Sequence, residues 1–138
     1  MRALKWVLAA LGVLGALVVG VGVYFYTTAP ERAVRAALAY ERRLAGLERK
    51  EITLANGLRY VYLEGGRGAP LLLLHGFGAN KDNFTRVAKH LTPRYRVIVI
   101  DPPGHGRSAQ IHRAFSLEDC ADAAVEILDA LEIERAHW

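Results

Sequence analysis

Two short stretches hold most of the residues able to do chemistry. The first is His75-Gly76-Phe77-Gly78, which follows directly on Ala69-Pro70-Leu71-Leu72-Leu73-Leu74. Two glycines flank one bulky residue. Glycine accepts positive φ and lets another group approach the main chain closely. The stretch therefore presents backbone N–H groups, chiefly that of Phe77. The second stretch is Asp101-Pro102-Pro103-Gly104-His105-Gly106-Arg107-Ser108, a Gly/Pro turn with one carboxylate, one imidazole and one hydroxyl.

Other chemistries fail on spacing. A dinucleotide loop needs Gly-x-Gly-x-x-Gly, and Lys81 stands where the third glycine belongs. Gly65-Gly66-Arg67-Gly68 has no Gly-Lys-Ser/Thr after it, so it is no phosphate loop. Asp101 and His105 have no third ligand at a recognisable spacing, so no metal is expected. Asp101 is expected to tie down its own glycine turn through backbone N–H groups. Cys120, the single cysteine, reads as a small core residue. The two serines are Ser108 and Ser116. Ser116 reads as a helix cap, with Asp119 in the capping-box position.

The elements that position these stretches follow from apolar patterning. Four consecutive leucines have no period of two and fit a strand covered on both faces. Its end is a ligand position in open α/β sheets. Glu51 to Leu54 and Arg59 to Leu63 read as two short strands joined through Asn56-Gly57, a strong hairpin signal. Asn80 can cap a helix with Phe84, Val87, Ala88 and Leu91 on one face, ended by Thr92-Pro93. Arg96 to Ile100 is a second buried strand. Leu117, Ala121, Ala124, Leu128 and Leu131 mark the last helix. Residues 134–138 look like the approach to another strand. A strand pair followed by strand–helix–strand–helix predicts an α/β sheet.

Trp6 to Tyr26 carries no charge and as a helix would span roughly 31 Å. Trp6 at one end and Tyr24 and Tyr26 at the other suit interfacial positions. The run is longer than the apolar region of a signal peptide, and Thr27-Thr28-Ala29-Pro30 is a poor cleavage site, so an uncleaved single-pass anchor is favoured. Arg2 and Lys5 argue for an N-terminus inside and the rest outside the cytoplasm, whereas Arg32, Arg35, Arg42 and Arg43 lie just past the other end. Gly12, Ala16 and Gly20 would form one smooth face able to pack on another such helix, but glycine and alanine are common in membrane helices in any case, and that reading is favoured. Thr28 reads as the cap of a helix whose stripe is Ala33, Ala37, Tyr40, Leu44 and Leu47. It is either an amphipathic collar at the membrane or a linker packed on the domain. The expected organisation is an anchor at 1–29, a linker helix at 30–50 and a domain at 51–138. From Glu31 onward 16 Lys/Arg face 14 Asp/Glu, a balance that gives no reason to expect nucleic acid.

Leu71 to Gly78, followed after 22 intervening residues by Asp101 to Ser108, resembles the N-terminal half of an α/β-hydrolase over residues 50–138. With the anchor, the chain is similar to bacterial membrane-associated lipases and esterases. The resemblance implies ester hydrolysis without a cofactor, acting on an ester or lipid. One oxyanion donor comes from the loop after the third strand of such a fold. Here that implies the N–H of Phe77, supported by His75, Gly76 and Gly78, with the Phe77 side chain lining an acyl pocket. His75 is then a structural histidine bonding nearby backbone, because the base of such enzymes lies late in the chain. Ser108 is no nucleophile elbow, since Gln110 stands where glycine is needed. The triad is expected beyond Trp138, and the 138 residues alone are expected to be inactive. An epoxide-hydrolase or dehalogenase chemistry, or a non-catalytic membrane-tethered binding domain, remain the alternatives.

Overall fold

The computed structural model describes residues 2–54, 56–76, 78–110 and 116–138. The chain divides into two units, Met1–Ala39 and Tyr40–Trp138. The first holds α1 (Arg2–Thr28) and the start of α2 (Pro30–Leu44). Within α1, Leu4–Thr28 is long and apolar enough to cross a membrane. A signal sequence near an N-terminus meets the same description. The expected cap at Thr28 is not found. Thr28 is the last residue of α1 and its hydroxyl donates back to the Tyr24 carbonyl at 2.6 Å, so it is not free to cap forward. The Ala29 carbonyl instead takes the first bonds of α2, from the N–H groups of Arg32 and Ala33. Pro30 occupies the first helical position, where a missing N–H costs nothing.

α2 stops at Leu44, short of the expected Leu47. Gly46, at φ +68°, supplies the left-handed residue that ends a helix. Leu47 then opens β1 (Leu47–Thr53), buried and paired with Gly65. No residue of α2 is buried, and Tyr40 and Leu44 of its stripe are exposed.

The second unit is built on a four-stranded sheet of order β1-β2-β4-β3, with β2 at Arg59–Gly65, β3 at Ala69–Leu74 and β4 at Tyr95–Asp101. β1 and β2 form the expected antiparallel hairpin. β4 runs antiparallel to β2 and parallel to β3, with Leu72 beside Ile98 and Leu74 beside Ile100. On one face Tyr60, Tyr62, Leu72, Ile98 and Ile100 pack with Ala123, Ala124 and Ile127 of α4 (Leu117–Ala130). On the other, Leu63, Val97 and Val99 pack with Ala45, Leu47 and Ala88 of α3 (Thr85–Leu91). Val97 to Ile100 are fully buried, so strict alternation feeds both cores. Each such side chain stabilises the fold by about 1.5–3 kcal/mol before entropy.

Three apolar expectations shift. β3 is less covered than four leucines suggest: only Leu72 is buried, because β3 is the last strand of the four. Beyond it His137 pairs in parallel with Leu71, the expected approach to another strand, through Leu72 N–H to His137 O and His137 N–H to Pro70 O, both 2.9 Å. In α3, Val87 is exposed and Thr85 is buried in its place. On α4 the expected Ala124, Leu128 and Leu131 do pack on the core, joined by Ala123 and Ile127, while Leu117 and Ala121 are exposed. In the second unit the two expected caps are present. Asn80 caps a 3-10 turn, Lys81–Phe84, that precedes α3, and Ser116 with Asp119 forms the capping box of α4.

Candidate functional site

β3 and β4 are parallel neighbours, so the turns that follow them begin side by side at their carboxyl ends. His75 leaves β3 and its ring is buried, with Nδ1 donating to the Gly76 carbonyl at 3.0 Å. That is the expected local backbone bond. Nε2 lies 3.5 Å from Asp101 Oδ1, outside hydrogen-bonding geometry. The His75 and His105 rings meet edge to face at 5.2 Å, bringing the two turns together. Gly78 holds φ +70° and the Ala79 N–H bonds the Gly76 carbonyl at 3.3 Å, so the first turn is tight. Phe77, the expected oxyanion donor, lies outside the described residues.

The sequence predicts that the Asp101 carboxylate bonds the N–H groups of its own turn; among the described residues its hydrogen bonds go to Lys81 instead. Several N–H groups of the turn bond backbone nearby: Gly104 N–H reaches Ala109 O, His105 N–H reaches Pro102 O, and Ser108 N–H reaches His105 O. The fully buried carboxylate turns instead to Lys81. Oδ1 accepts the Lys81 N–H at 2.7 Å and Oδ2 accepts Lys81 Nζ at 2.5 Å. Gly106 lies against the same carboxylate at φ +56°; a Cβ there would fall 1.9 Å from Oδ2. Glycine is required at this position by close approach as well as by φ.

Lys81 is the residue that sequence reasoning misses. It is only 3% exposed. Its one available signal is position, one residue after a helix cap and close behind a glycine turn. Next to it, Asp82 receives both Arg42 Nε at 2.5 Å and an Arg42 terminal nitrogen at 2.7 Å, a bidentate clamp from the last turn of α2.

Neither serine has a free hydroxyl. Ser108 is buried, donates to the Asp101 carbonyl at 2.6 Å and accepts the Val61 N–H at 3.0 Å. Ser116 Oγ accepts the Asp119 N–H. Cys120 is half-buried, and burial followed by the Asp119 charge pushes its thiol above the usual range. Such a thiol is a packing group rather than a nucleophile.

Residues 69–138, half of the chain, match the family described as alpha/beta hydrolase fold. The chain belongs to that family. It is 51% identical over 75 residues to lipase 1 of Psychrobacter immobilis, covering 53% of this chain and 23% of that lipase. It is 46% identical over 90 residues to lipase 3 of Moraxella sp. (strain TA144), covering 61% of this chain and 28% of that lipase. The chain thus spans about a quarter of the length of these curated relatives. Among solved structures, a membrane phospholipase A described as a bacterial virulence factor superposes on 93% of this chain and 41% of its own, with TM-score 0.75 and 36% identity.

Proposed function

We propose that the full-length protein is a membrane-anchored serine hydrolase that cleaves carboxylic esters of lipase or esterase type. The observation that carries this reading is the pairing of two glycine turns at the carboxyl ends of β3 and β4, joined through His75, Asp101 and His105, in a chain half identical to a lipase over 75 residues. Ester hydrolysis passes through a tetrahedral oxyanion, and one fixed donor is worth about 2.7–4 kcal/mol of barrier. The Phe77 N–H is that donor, with Gly76 and Gly78 opening the turn and the Phe77 side chain lining the acyl pocket. The nucleophile, its base and the orienting acid come from outside residues 1–138, since the hydroxyls of Ser108 and Ser116 are engaged by backbone. α1 stays attached as a single-pass anchor, with the hydrolase domain outside the cytoplasm, and the substrate is an ester or lipid with an apolar acyl chain.

The test is a fluorophosphonate probe together with a short-chain chromogenic ester, applied to the full-length protein extracted in detergent. Covalent labelling and turnover above a heat-inactivated control are expected. Absence of both overturns the reading. Carbonate extraction tests the anchor: retention in the membrane fraction is expected, and release with an N-terminus near Ala29 contradicts it.

A further inference from the structure

Lys81 is a cation where a packed interior would accept an apolar residue. Burying an ammonium and a carboxylate together is costly, so net stability alone does not account for the pair. The geometry here is a chelate. One residue grips both oxygens of Asp101, through its N–H and through Nζ. That sets both the distance and the rotation of residue 81 relative to the end of β4. The Asp82 carboxylate is gripped in turn by both bonds from Arg42. Residues 81 and 82 are thereby pinned from two sides, directly behind Asn80. At the opposite end of the same turn, the buried His75 ring rests against Asp101 from the β3 side. The Asp101 carboxylate therefore bonds the Lys81 end of the turn that follows β3 and lies in contact with the His75 end.

We propose that Lys81 is a positioning residue for the transition state of the hydrolase reaction, acting through Asp101 on the turn between β3 and the 3-10 turn. The proposal rests on the hydrolase reading above. A turn held in register presents its donors to the developing oxyanion at no reorganisation cost. Loss of the Lys81 ammonium lets the turn relax, and misplacement on the scale of 1 Å can cost on the order of 10²-fold. Ground-state binding of the ester does not use that register, so kcat falls while KM holds.

The experiment compares full-length wild type with Lys81→Met and with the double variant Lys81→Met/Asp101→Asn, which leaves no uncompensated buried charge and so protects folding. Turnover is expressed per active site, counted by burst titration with a chromogenic phosphonate. A purely structural role lowers the number of titratable sites and leaves turnover per site unchanged. The expected result is a fall in kcat per titrated site of about 10-fold or more in both variants, with KM within about 2-fold. Unchanged kcat per site in either variant, beside an active wild type, overturns this inference alone. A wild type with neither titratable sites nor turnover overturns the hydrolase reading, and this inference with it.

Discussion

Two sets of charges lie in the same unit and behave differently. At the ends of β3 and β4, Asp101 and Lys81 are sealed from solvent. Across the middle of the sheet, Glu64 of β2 bridges Lys50 of β1 at 2.8 Å and Arg96 of β4 at 2.6 Å, and Glu51 takes Arg49 and Arg59 on the open side. Burial pushes the Glu64 carboxyl up, but the bonds from Lys50 and Arg96 outweigh it and leave it below the usual range. The bonds from Arg59 and then Arg49 hold the Glu51 carboxyl low as well. The ladder is a surface network in which every cation can return to water. The buried cluster has no such exit, so removing one partner strands the other.

That contrast sets a ranking. Lys81→Met strands the Asp101 carboxylate and should lower unfolding free energy by about 3–5 kcal/mol. Chemical denaturation of the detergent-solubilised protein measures it, and Lys81→Met/Asp101→Asn should recover most of the loss. If the single variant costs under 1 kcal/mol, the cluster is no different from the ladder. Gly106→Ala follows, at roughly 1–3 kcal/mol, because the new Cβ meets Oδ2 and the backbone sits at positive φ. The same denaturation curves report it. Glu64→Gln should cost only about 1 kcal/mol or less at neutral pH. Its pH signature is sharper. The folded carboxyl titrates below its ordinary value of 4.5, so its contribution is present above that pH and fades as pH falls through the folded value. Wild type should therefore lose more stability than Glu64→Gln on acidification, and parallel curves would remove Glu64 from the ladder. Smallest is Glu31→Gln, which loses the exposed pair with Arg35 and should shift stability by a few tenths of a kcal/mol, ~0.3–0.5.

The sequence made legible what depends on neighbours along the chain. The Asn80 and Ser116 caps, the Asn56-Gly57 hairpin and the strand of four leucines are local patterns, and each is present in the fold. Leu47 could not be read, because one apolar residue fits the period of α2 as well as the start of β1; Gly46 decides between them. The stripe read for α4 holds at Ala124, Leu128 and Leu131 but not at Leu117 and Ala121, because the face turned to the sheet is centred on Ala123, Ala124 and Ile127. The Lys81–Asp101 pair joins residues 20 positions apart. Before the fold brings the ends of β3 and β4 together, Lys81 is one more polar residue at a helix start. Both turns of the candidate site were legible from their glycines; what holds them was not.

The central claim is that the turn after β3 supplies a backbone donor for ester hydrolysis, and Phe77 is where it is tested most directly. Phe77→Pro deletes that N–H, whereas Phe77→Leu keeps it. Hydrolysis of a short-chain chromogenic ester, measured per titrated active site on the full-length protein, should fall by about 10²-fold or more in the proline variant. The leucine variant should retain most turnover and change mainly its acyl-chain preference. Equal turnover per site in wild type and Phe77→Pro, with both folded, would contradict the account.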